Sequence, residues 1–560
     1  MQKVLTAEQM REVDRLTTER YGIPSILLME NAAHAVARVI TEKLGGSVKG
    51  KRVLILCGKG NNGGDGAALA RILWTQGANV TACMMYPDDE FSGDAKQNLE
   101  LLRNLHRVQT PFSEPTICMA EVGTHRSFFD RLDPYLGPDV VVDALFGTGL
   151  TRALNEEPAI LAKSYTSFFE DSDRPLFLSI DLPSGIDADR HDLIGECFRA
   201  DVTITFTRPK PANVLPPAAN FGGELVVANI GSPLELIDEQ PSQLFLTESG
   251  EAKKWLGKTE FSDDSYKNKR GHALLIAGSE SYSGAAVLCG NAAMRSGVGL
   301  VTVVTPKSSI DSVASRVLPE VMVRGVAETA SGSIDETAFD ELNDLLDKAD
   351  SVAIGSGLSQ DESTKRFVQK VIENRRHPTI VDADALNLLS PFAERVSSPH
   401  GVSSPHVSKG SSLDAEGVDL ALILTPHEGE FMRLLGTTDK DVLKDRVAAV
   451  REFSQKHNVI LVLKGERVLI GEPGGKVVVN PTGNSGLGKA GNGDSLTGIL
   501  VGFVAQATQF KIDIFETVVA AVYVAGMAGD VAEKKYGKRV MTASDVRECL
   551  TEAFENINVS

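Results

Sequence analysis

Lys51-Arg-Val-Leu-Ile-Leu-Cys57 runs straight into Gly58-Lys-Gly60-Asn61-Asn62-Gly63-Gly64-Asp65-Gly66, and a helix is expected to begin near Ala67. An apolar, β-branched run that ends in glycines and opens a helix is the start of a βαβ unit. It predicts a doubly wound α/β sheet that binds ligands at the carboxyl ends of its strands. Gly58, Gly60 and Gly63 have the spacing of a dinucleotide-binding turn, with Asp88 and Asp89 at the end of the next strand as possible ribose partners. That spacing leaves Asn61, Asn62 and Asp65 unexplained. Their side-chain oxygens could instead hold a hard cation and hydrogen-bond a polar ligand. The bland alternative is a turn chosen only because Asn and Gly tolerate positive φ.

Two further strand ends argue against the bland alternative. Val142-Asp143-Ala-Leu-Phe-Gly147-Thr148-Gly149-Leu150 and Ile180-Asp181-Leu-Pro-Ser184-Gly-Ile-Asp187 each put a carboxylate at the end of a buried strand, followed by glycine. In a doubly wound sheet all three ends open on one edge, where a ligand site is the better reading.

Working outward, Thr6 with Gln9 forms a capping box, and a second helix follows Pro24, with Met29, Ala32, Ala33, Val36 and Ile40 on its apolar face. Strands are expected at 53–57, 79–84, 140–145, 176–182, 202–206 and 225–230. The pattern lapses near 231–265 into a polar, acidic stretch, which sets the expected domains as 1–240 and 241–560. A second α/β alternation then runs through 272–277, 300–304, 352–354, 379–382, 422–425, 460–463, 468–470 and 477–480. The tandem Ser-Pro-His repeat near 396–412 reads as a surface insertion without function.

The second half is densest in signal at Gly483-Asn-Ser-Gly486-Leu-Gly488-Lys489-Ala490-Gly491-Asn-Gly493-Asp494. Gly483, Gly488 and Lys489 imitate a phosphate-binding P-loop, but Ala490 stands where a hydroxyl must meet Mg²⁺, so that reading is rejected. Instead the amides around Gly491, Gly493 and Asp494 open a helix at about Ser495 and face a phosphoryl group. Asp494 beside them can accept a proton from a hydroxyl attacking phosphorus. Thr425-Pro-His427-Glu-Gly-Glu430 and Lys464-Gly465-Glu466-Arg467-Val468 also follow strands, and Lys464 is a suitable point charge for a nucleotide phosphate.

The 560 residues carry 57 Lys plus Arg against 75 Asp plus Glu, a net charge of −18 that repels nucleic acid and anionic membranes. The six cysteines at 57, 83, 118, 197, 289 and 549 form no CxxC pair and read as reduced, mostly packed thiols. The N-terminus has no apolar targeting region, and no uninterrupted apolar stretch approaches the ~20 residues that span a bilayer, so a cytoplasmic protein is expected.

Taken together, Met29-Glu-Asn31, the 61–66 turn, the Asp143 and Asp181 strand ends, Thr425 to Glu430, Lys464-Gly465 and the 483–494 stretch resemble the bifunctional NAD(P)H-hydrate repair enzymes. In that family an epimerase domain precedes a ribokinase-like, ADP- or ATP-dependent dehydratase. The resemblance implies a Rossmann-like first domain in which Asn61, Asn62, Gly63, Gly64, Asp65, Gly147, Thr148, Gly149, Leu150, Thr151, Arg152, Ala153 and Asp181 line the hydrated nicotinamide nucleotide. It implies K⁺ at Asn62, Asp143 and Ser184, with Asp181 a plausible acid/base. In the second domain it implies substrate contacts from Ala286, Gly357, His427 and Asp494, and nucleotide contacts from Lys464, Gly465, Glu466, Arg467, Val468 and Gly493.

The implied substrates are hydrated NADH and NADPH with ADP, ATP being the alternative donor, and Mg²⁺ accompanying the nucleotide. ADP is the expectation because a fused, untargeted chain looks bacterial. A homo-oligomer without nucleic-acid or membrane partners is expected. The rival reading is a ribokinase-type small-molecule kinase fused to a non-catalytic nucleotide-binding module. Two segments depart from the family pattern: Gly486-Leu-Gly-Lys-Ala-Gly491, which puts Lys489 near the presumed phosphates, and Gly355-Ser-Gly-Leu-Ser359.

Overall fold

The computed structural model describes residues 1–109, 115–121, 137–168, 174–393 and 420–559; the Ser-Pro-His repeat lies outside them. The chain divides into two compact units, Gln2–Ser242 and Gln243–Ser560 together with Met1.

The first unit holds a seven-stranded sheet built from β1 (Arg52–Cys57), β2 (Asn79–Met84), β3 (Ile117–Glu121), β4 (Val140–Ala144), β5 (Leu176–Ile180), β6 (Val202–Phe206) and β7 (Glu224–Ala228). Their order is β3-β2-β1-β4-β5-β6-β7, and every neighbouring pair is parallel. Both faces are covered. Val53, Ile55, Val140 and Val142 pack under the helices Ser25–Lys43 and Asn61–Thr75, while Leu54, Leu56, Val141 and Phe177 pack with Leu161 and Phe198. Burial on both sides explains why the strands show no polar alternation. The strand order reverses between β1 and β4, the position at which doubly wound sheets open a crevice.

The helix after β1 begins at Asn61, earlier than the sequence suggested. Asn61 to Gly66 are its first turns rather than a loop, because the helix sits directly on the end of β1. A Cβ on Gly63 would lie 1.7 Å from the Gly58 carbonyl oxygen. Gly63→Ala therefore forces backbone apart and is expected to cost about 3 kcal/mol, the upper end of over-packing effects. Thermal melting of the variant would read this, and an unchanged midpoint would refute it. Asp88 is paired with Arg103.

In the second unit the strands are β8 (Leu244–Leu246), β9 (His272–Ile276), β10 (Leu300–Pro306), β11 (Met322–Val326), β12 (Ser351–Ile354), β13 (Thr379–Val381), β14 (Leu422–Leu424), β15 (Ile460–Leu463), β16 (Val468–Gly471) and β17 (Val477–Asn480). The order runs β8-β17-β16-β15-β14-β13-β12-β9-β10-β11, with only β16 antiparallel to its neighbours. The polar stretch near 231–265 is more structured than expected. It contains the helices Leu234–Asp238 and Ser249–Lys258 as well as β8, whose three residues pair with Val477 to Val479.

Helix Asn492–Phe510 packs into the core with helix Ser283–Arg295. Helix Ile514–Tyr536 is the one described helix long and apolar enough to span a membrane, which sequence inspection overlooked. Of its most apolar window 78% is buried, and core packing accounts for that apolarity.

Candidate active sites

In the first unit the adjacent carboxyl ends of β1, β4 and β5 bring Asn62, Asp143 and Asp181 to one edge. Asp143 is 4% exposed and accepts from Ser184 N (2.7 Å), Ser184 Oγ (2.6 Å), Ser179 Oγ (3.2 Å) and Leu145 N (3.2 Å). Burial pushes its carboxyl up to about 6, against the pull of those hydrogen bonds. Ser184 Oγ in turn accepts from Phe146 N at 2.9 Å, which ties the β5 turn to the β4 turn.

Asp181 adopts φ 67, a conformation rare outside glycine and asparagine, and its backbone N–H donates to Ile204 O at 2.7 Å. One carboxylate oxygen, Oδ1, takes Lys210 Nζ at 2.6 Å and Thr205 Oγ1 at 3.0 Å. The other, Oδ2, lies 3.1 Å from where a Cβ on Gly147 would stand, and Asn62 Oδ1 lies 3.5 Å from the same point. A free carboxylate oxygen and an amide thus face the space over Gly147. Asp65 lies nearby: burial first, then Asp181 and Asp14, push its carboxyl well above the usual range.

The rest of the expected lining is uneven. Gly147 to Leu150 form a turn closed by Leu150 N to Gly147 O at 3.3 Å, in which Leu150 is buried. Thr151, Arg152 and Ala153 are exposed.

In the second unit Asp382 follows β13, is 1% exposed, and accepts from Lys464 Nζ (2.8 Å), Thr425 Oγ1 (2.8 Å) and Thr497 Oγ1 (2.9 Å). Burial works against its charge, but the Lys464 cation and these hydrogen bonds outweigh it and hold the carboxyl below the usual range. Burial likewise opposes the Lys464 ammonium, yet Asp382 and Glu430 hold it above its ordinary value.

Gly493 covers this pair, since a Cβ there would stand 3.5 Å from Lys464 Nζ and 3.7 Å from Asp382 Oδ2. Its neighbour Asp494 is the third residue of helix Asn492–Phe510, which opens at Gly491 with φ 91 rather than near Ser495. Burial pushes the Asp494 carboxyl up, against a hydrogen bond from Ser356. Cys289 Sγ donates to the Asp494 carbonyl at 3.0 Å and braces the turn.

His427 caps helix Glu428–Leu435: its Nδ1 accepts from Gly429 N (3.0 Å) and Glu430 N (3.3 Å), and its Nε2 lies 3.5 Å from Glu430 Oε1. Gly357, at φ 68, lies against Tyr282 and Ala285, and Ala286 is fully buried beside Gly278. Gly465 to Arg467 turn between β15 and β16; Gly465 and Glu466 are exposed, while the Arg467 guanidinium donates to Pro481 O. Lys489 does not face the helix opening as expected. Its ammonium donates to the carbonyls of Arg539 (2.6 Å) and Met541 (2.9 Å) and anchors that segment.

Asp382, Lys210 and Asp14 escaped the sequence reading. Asp382 had a signal, the same strand-end carboxylate used to pick Asp143 and Asp181; the other two had none.

Two family models match the chain: one described as YjeF-related protein N-terminus over residues 25–212, and one described as NAD(P)H-hydrate dehydratase over residues 273–552. The chain is 34% identical over 555 residues to the bifunctional NAD(P)H-hydrate repair enzyme of Moorella thermoacetica, covering 99% of this chain and 97% of that one. It is 32% identical over 553 residues to the enzyme of the same name from Thermofilum pendens, covering 99% and 96%. Among solved structures, an ADP/ATP-dependent NAD(P)H-hydrate dehydratase from Bacillus subtilis, co-crystallized with ATP and Mg²⁺, is 28% identical with a TM-score of 0.45 and covers 56% of this chain and 98% of that one. With matches of this extent running through both halves, the chain belongs to the bifunctional NAD(P)H-hydrate repair enzymes, with an epimerase and a dehydratase domain.

Proposed function

We propose that residues 1–240 interconvert the two epimers of hydrated NADH and NADPH, and that residues 241–560 dehydrate the S form at the expense of ADP. The observation that carries this reading is Asp494, a carboxylate whose affinity for protons is raised by burial, set beside the helix opening and the Lys464–Asp382 pair.

In the dehydratase site Asp494 takes the proton of the C6 hydroxyl as its oxygen attacks the terminal phosphorus of ADP, and the bond to the departing AMP oxygen breaks. Gly493 N–H and Lys464 stabilise the moving phosphoryl group. The ring nitrogen then expels phosphate from C6, and loss of a C5 proton restores the C5=C6 double bond of NAD(P)H. Ala286, Gly357 and His427 line the substrate side, and Lys464, Gly465, Glu466, Arg467 and Val468 the nucleotide side. ATP serves by the same step, leaving ADP.

In the epimerase site the C6–O bond breaks reversibly. The hydroxyl leaves as water after taking a proton, and water returns to either face of the ring, with the free oxygen of Asp181 as the acid/base. Asn61 to Asp65 and Gly147 to Ala153 line the nucleotide.

The donor chemistry also fits K⁺: Asp143 is a buried carboxylate whose hydrogen-bond donors among the described residues are the neutral groups of Ser184, Ser179 and Leu145. Asn62, Asp143 and Ser184 would hold the ion, which supplies a fixed positive charge. Among the described residues no cluster of three or more acidic, histidine or cysteine side chains is placed to hold a metal. Mg²⁺ would arrive on the nucleotide phosphates, which suit it.

Full-length protein given hydrated NADPH and ADP should restore the near-ultraviolet absorbance of NADPH, with one AMP and one phosphate released per turnover. A stable phosphorylated product would instead mark a small-molecule kinase and sink the dehydratase assignment. Epimerisation should slow when choline replaces K⁺, and an unchanged rate would remove the ion from the site.

A further inference from the structure

A hydrated dinucleotide is much longer than its reacting ring, so the groups around Gly147 and Asp181 account for only one end of it. The rest must run along the edge of the sheet. Toward β6 the way is closed by the N-terminal segment: Leu5 N donates to Pro209 O at 2.9 Å, Ala7 N donates to Asp189 Oδ1 at 2.6 Å, and Ala7 packs with Leu182, Ile186 and Ala212. Leu5 itself is buried. Toward β2 the edge instead presents an accessible aromatic ring and a cation.

Tyr86, Lys59 and Phe146 each stand two residues past a strand end, those of β2, β1 and β4 respectively. Met85 N donates to Cys57 O at 3.1 Å and holds the Tyr86 turn against β1, while Phe146 N donates to Ser184 Oγ at 2.9 Å. Tyr86 packs on the core of one face of the sheet and Phe146 on the core of the other. Since β1 lies between β2 and β4, the two rings meet across its end, with centroids 6.4 Å apart and planes at 83°. Lys59 Nζ lies over the Tyr86 ring, 5.1 Å from its centre, and donates to Glu90 Oε2 at 2.6 Å. Tyr86 is partly buried and Lys59 and Glu90 are exposed. An exposed ion pair is weak, so the ammonium is free to turn to a phosphate. Arg152, exposed on the turn after Gly147, adds a second positive charge that acts on both Tyr86 and Lys59.

We propose that this corner takes the AMP half of the hydrated dinucleotide, the adenine against the Tyr86 ring and a phosphate drawing Lys59 away from Glu90. Neighbouring strands lie about 4.8 Å apart, so the three spacings from β5 to β2 put Tyr86 about 14 Å along the edge from Asp181. A ligand spanning that distance crosses the reversal between β1 and β4, where doubly wound sheets take dinucleotides. The aromatic face suits a purine and the ammonium suits a phosphate. Both groups stand away from the reacting carbon, so their contacts are the same in the ground state and the transition state and act on KM rather than kcat. This inference rests on the epimerase reading and extends it to the far end of the substrate.

The test follows epimerisation of hydrated NADH by the full-length protein without ADP, so that the second unit is silent, with 5′-AMP and nicotinamide mononucleotide as competing fragments. AMP at millimolar concentration should inhibit the unaltered protein competitively. Tyr86→Leu, which keeps apolar volume against the core, should raise KM and the inhibition constant of AMP by about 10-fold and leave kcat within about twofold, the effect of losing one stacked base. Tyr86→Phe keeps the ring and should behave as the unaltered protein. Lys59→Ala should also weaken AMP, more at low salt than at high. Inhibition by nicotinamide mononucleotide, which lacks the AMP half, should be the same in all of them. An unaltered protein that AMP does not inhibit overturns the proposal. So does a Tyr86→Leu that lowers kcat while AMP inhibits as before, the mark of a purely structural role, or a Tyr86→Phe that behaves as Tyr86→Leu. Failure of the unaltered protein to epimerise hydrated NADH at all overturns the epimerase reading itself, whereas normal epimerisation with KM unmoved in Tyr86→Leu overturns this inference alone.

Discussion

Asp494→Asn is expected to lower dehydration by about 10²- to 10⁴-fold, the span attributed to a lost general base, while the first unit epimerises at its original rate. The replacement preserves shape, the bracing by Cys289 to the Asp494 backbone and the helix opening at Gly491. Only the ability to take a proton is lost. The pH profile sharpens the test. The base must be ionised to act, so activity falls as pH falls through its folded pKa. Burial has raised that value, so the acid limb should lie above the ~4 of an ordinary aspartate. In the variant this limb should vanish from what activity remains. An Asp494→Asn protein that dehydrates at the original rate, with the limb still present, would transfer the base role to another group.

Strand ends were what the sequence revealed best. β1, β5, β12 and β13 are largely apolar runs followed directly by Gly58, Asp181, Gly355 and Asp382, and double burial imposes such apolar runs on any parallel strand. β3, β8 and β11 went unread for the opposite reason. Met322-Val-Arg-Gly-Val is a partly exposed edge strand, and Leu244-Phe-Leu is too short to stand out before Val477 to Val479 pair with it. Helix starts were misplaced at both glycine-rich stretches because propensity counts glycine against a helix. In the fold, Gly63 lies within a helix because the Gly58 backbone beneath it leaves no room for a side chain, whereas Gly493 stands in the first turn of its helix at ordinary contact distance from Lys464 and Asp382.

Site residues divide in the same way. Asp143 and Asp181 announce themselves by position, whereas Lys210 follows Arg208-Pro209 with no local sign of a role. Only the adjacency of β5 and β6 carries it across 29 residues to Asp181.

Lys210→Met should be the most damaging single change in the first unit. Lys210 is 2% exposed and Asp181 8%, so the variant leaves a buried carboxylate in a left-handed backbone conformation with Thr205 as its remaining side-chain partner at Oδ1. Breaking one side of such a pair costs about 3–5 kcal/mol, and epimerisation should be lost because Oδ2 no longer has a fixed direction. Folding loss alone could mimic that result, so the double variant Lys210→Met with Asp181→Asn decides the matter. Two neutral groups of similar size need no countercharge, and asparagine tolerates the positive φ. The double variant should therefore regain most of the lost stability in denaturant unfolding while remaining inactive as an epimerase. If the two substitutions simply add in their effect on unfolding, Lys210 and Asp181 are not coupled through the ion pair. If the refolded double variant epimerises, the Asp181 carboxylate is not the acid/base.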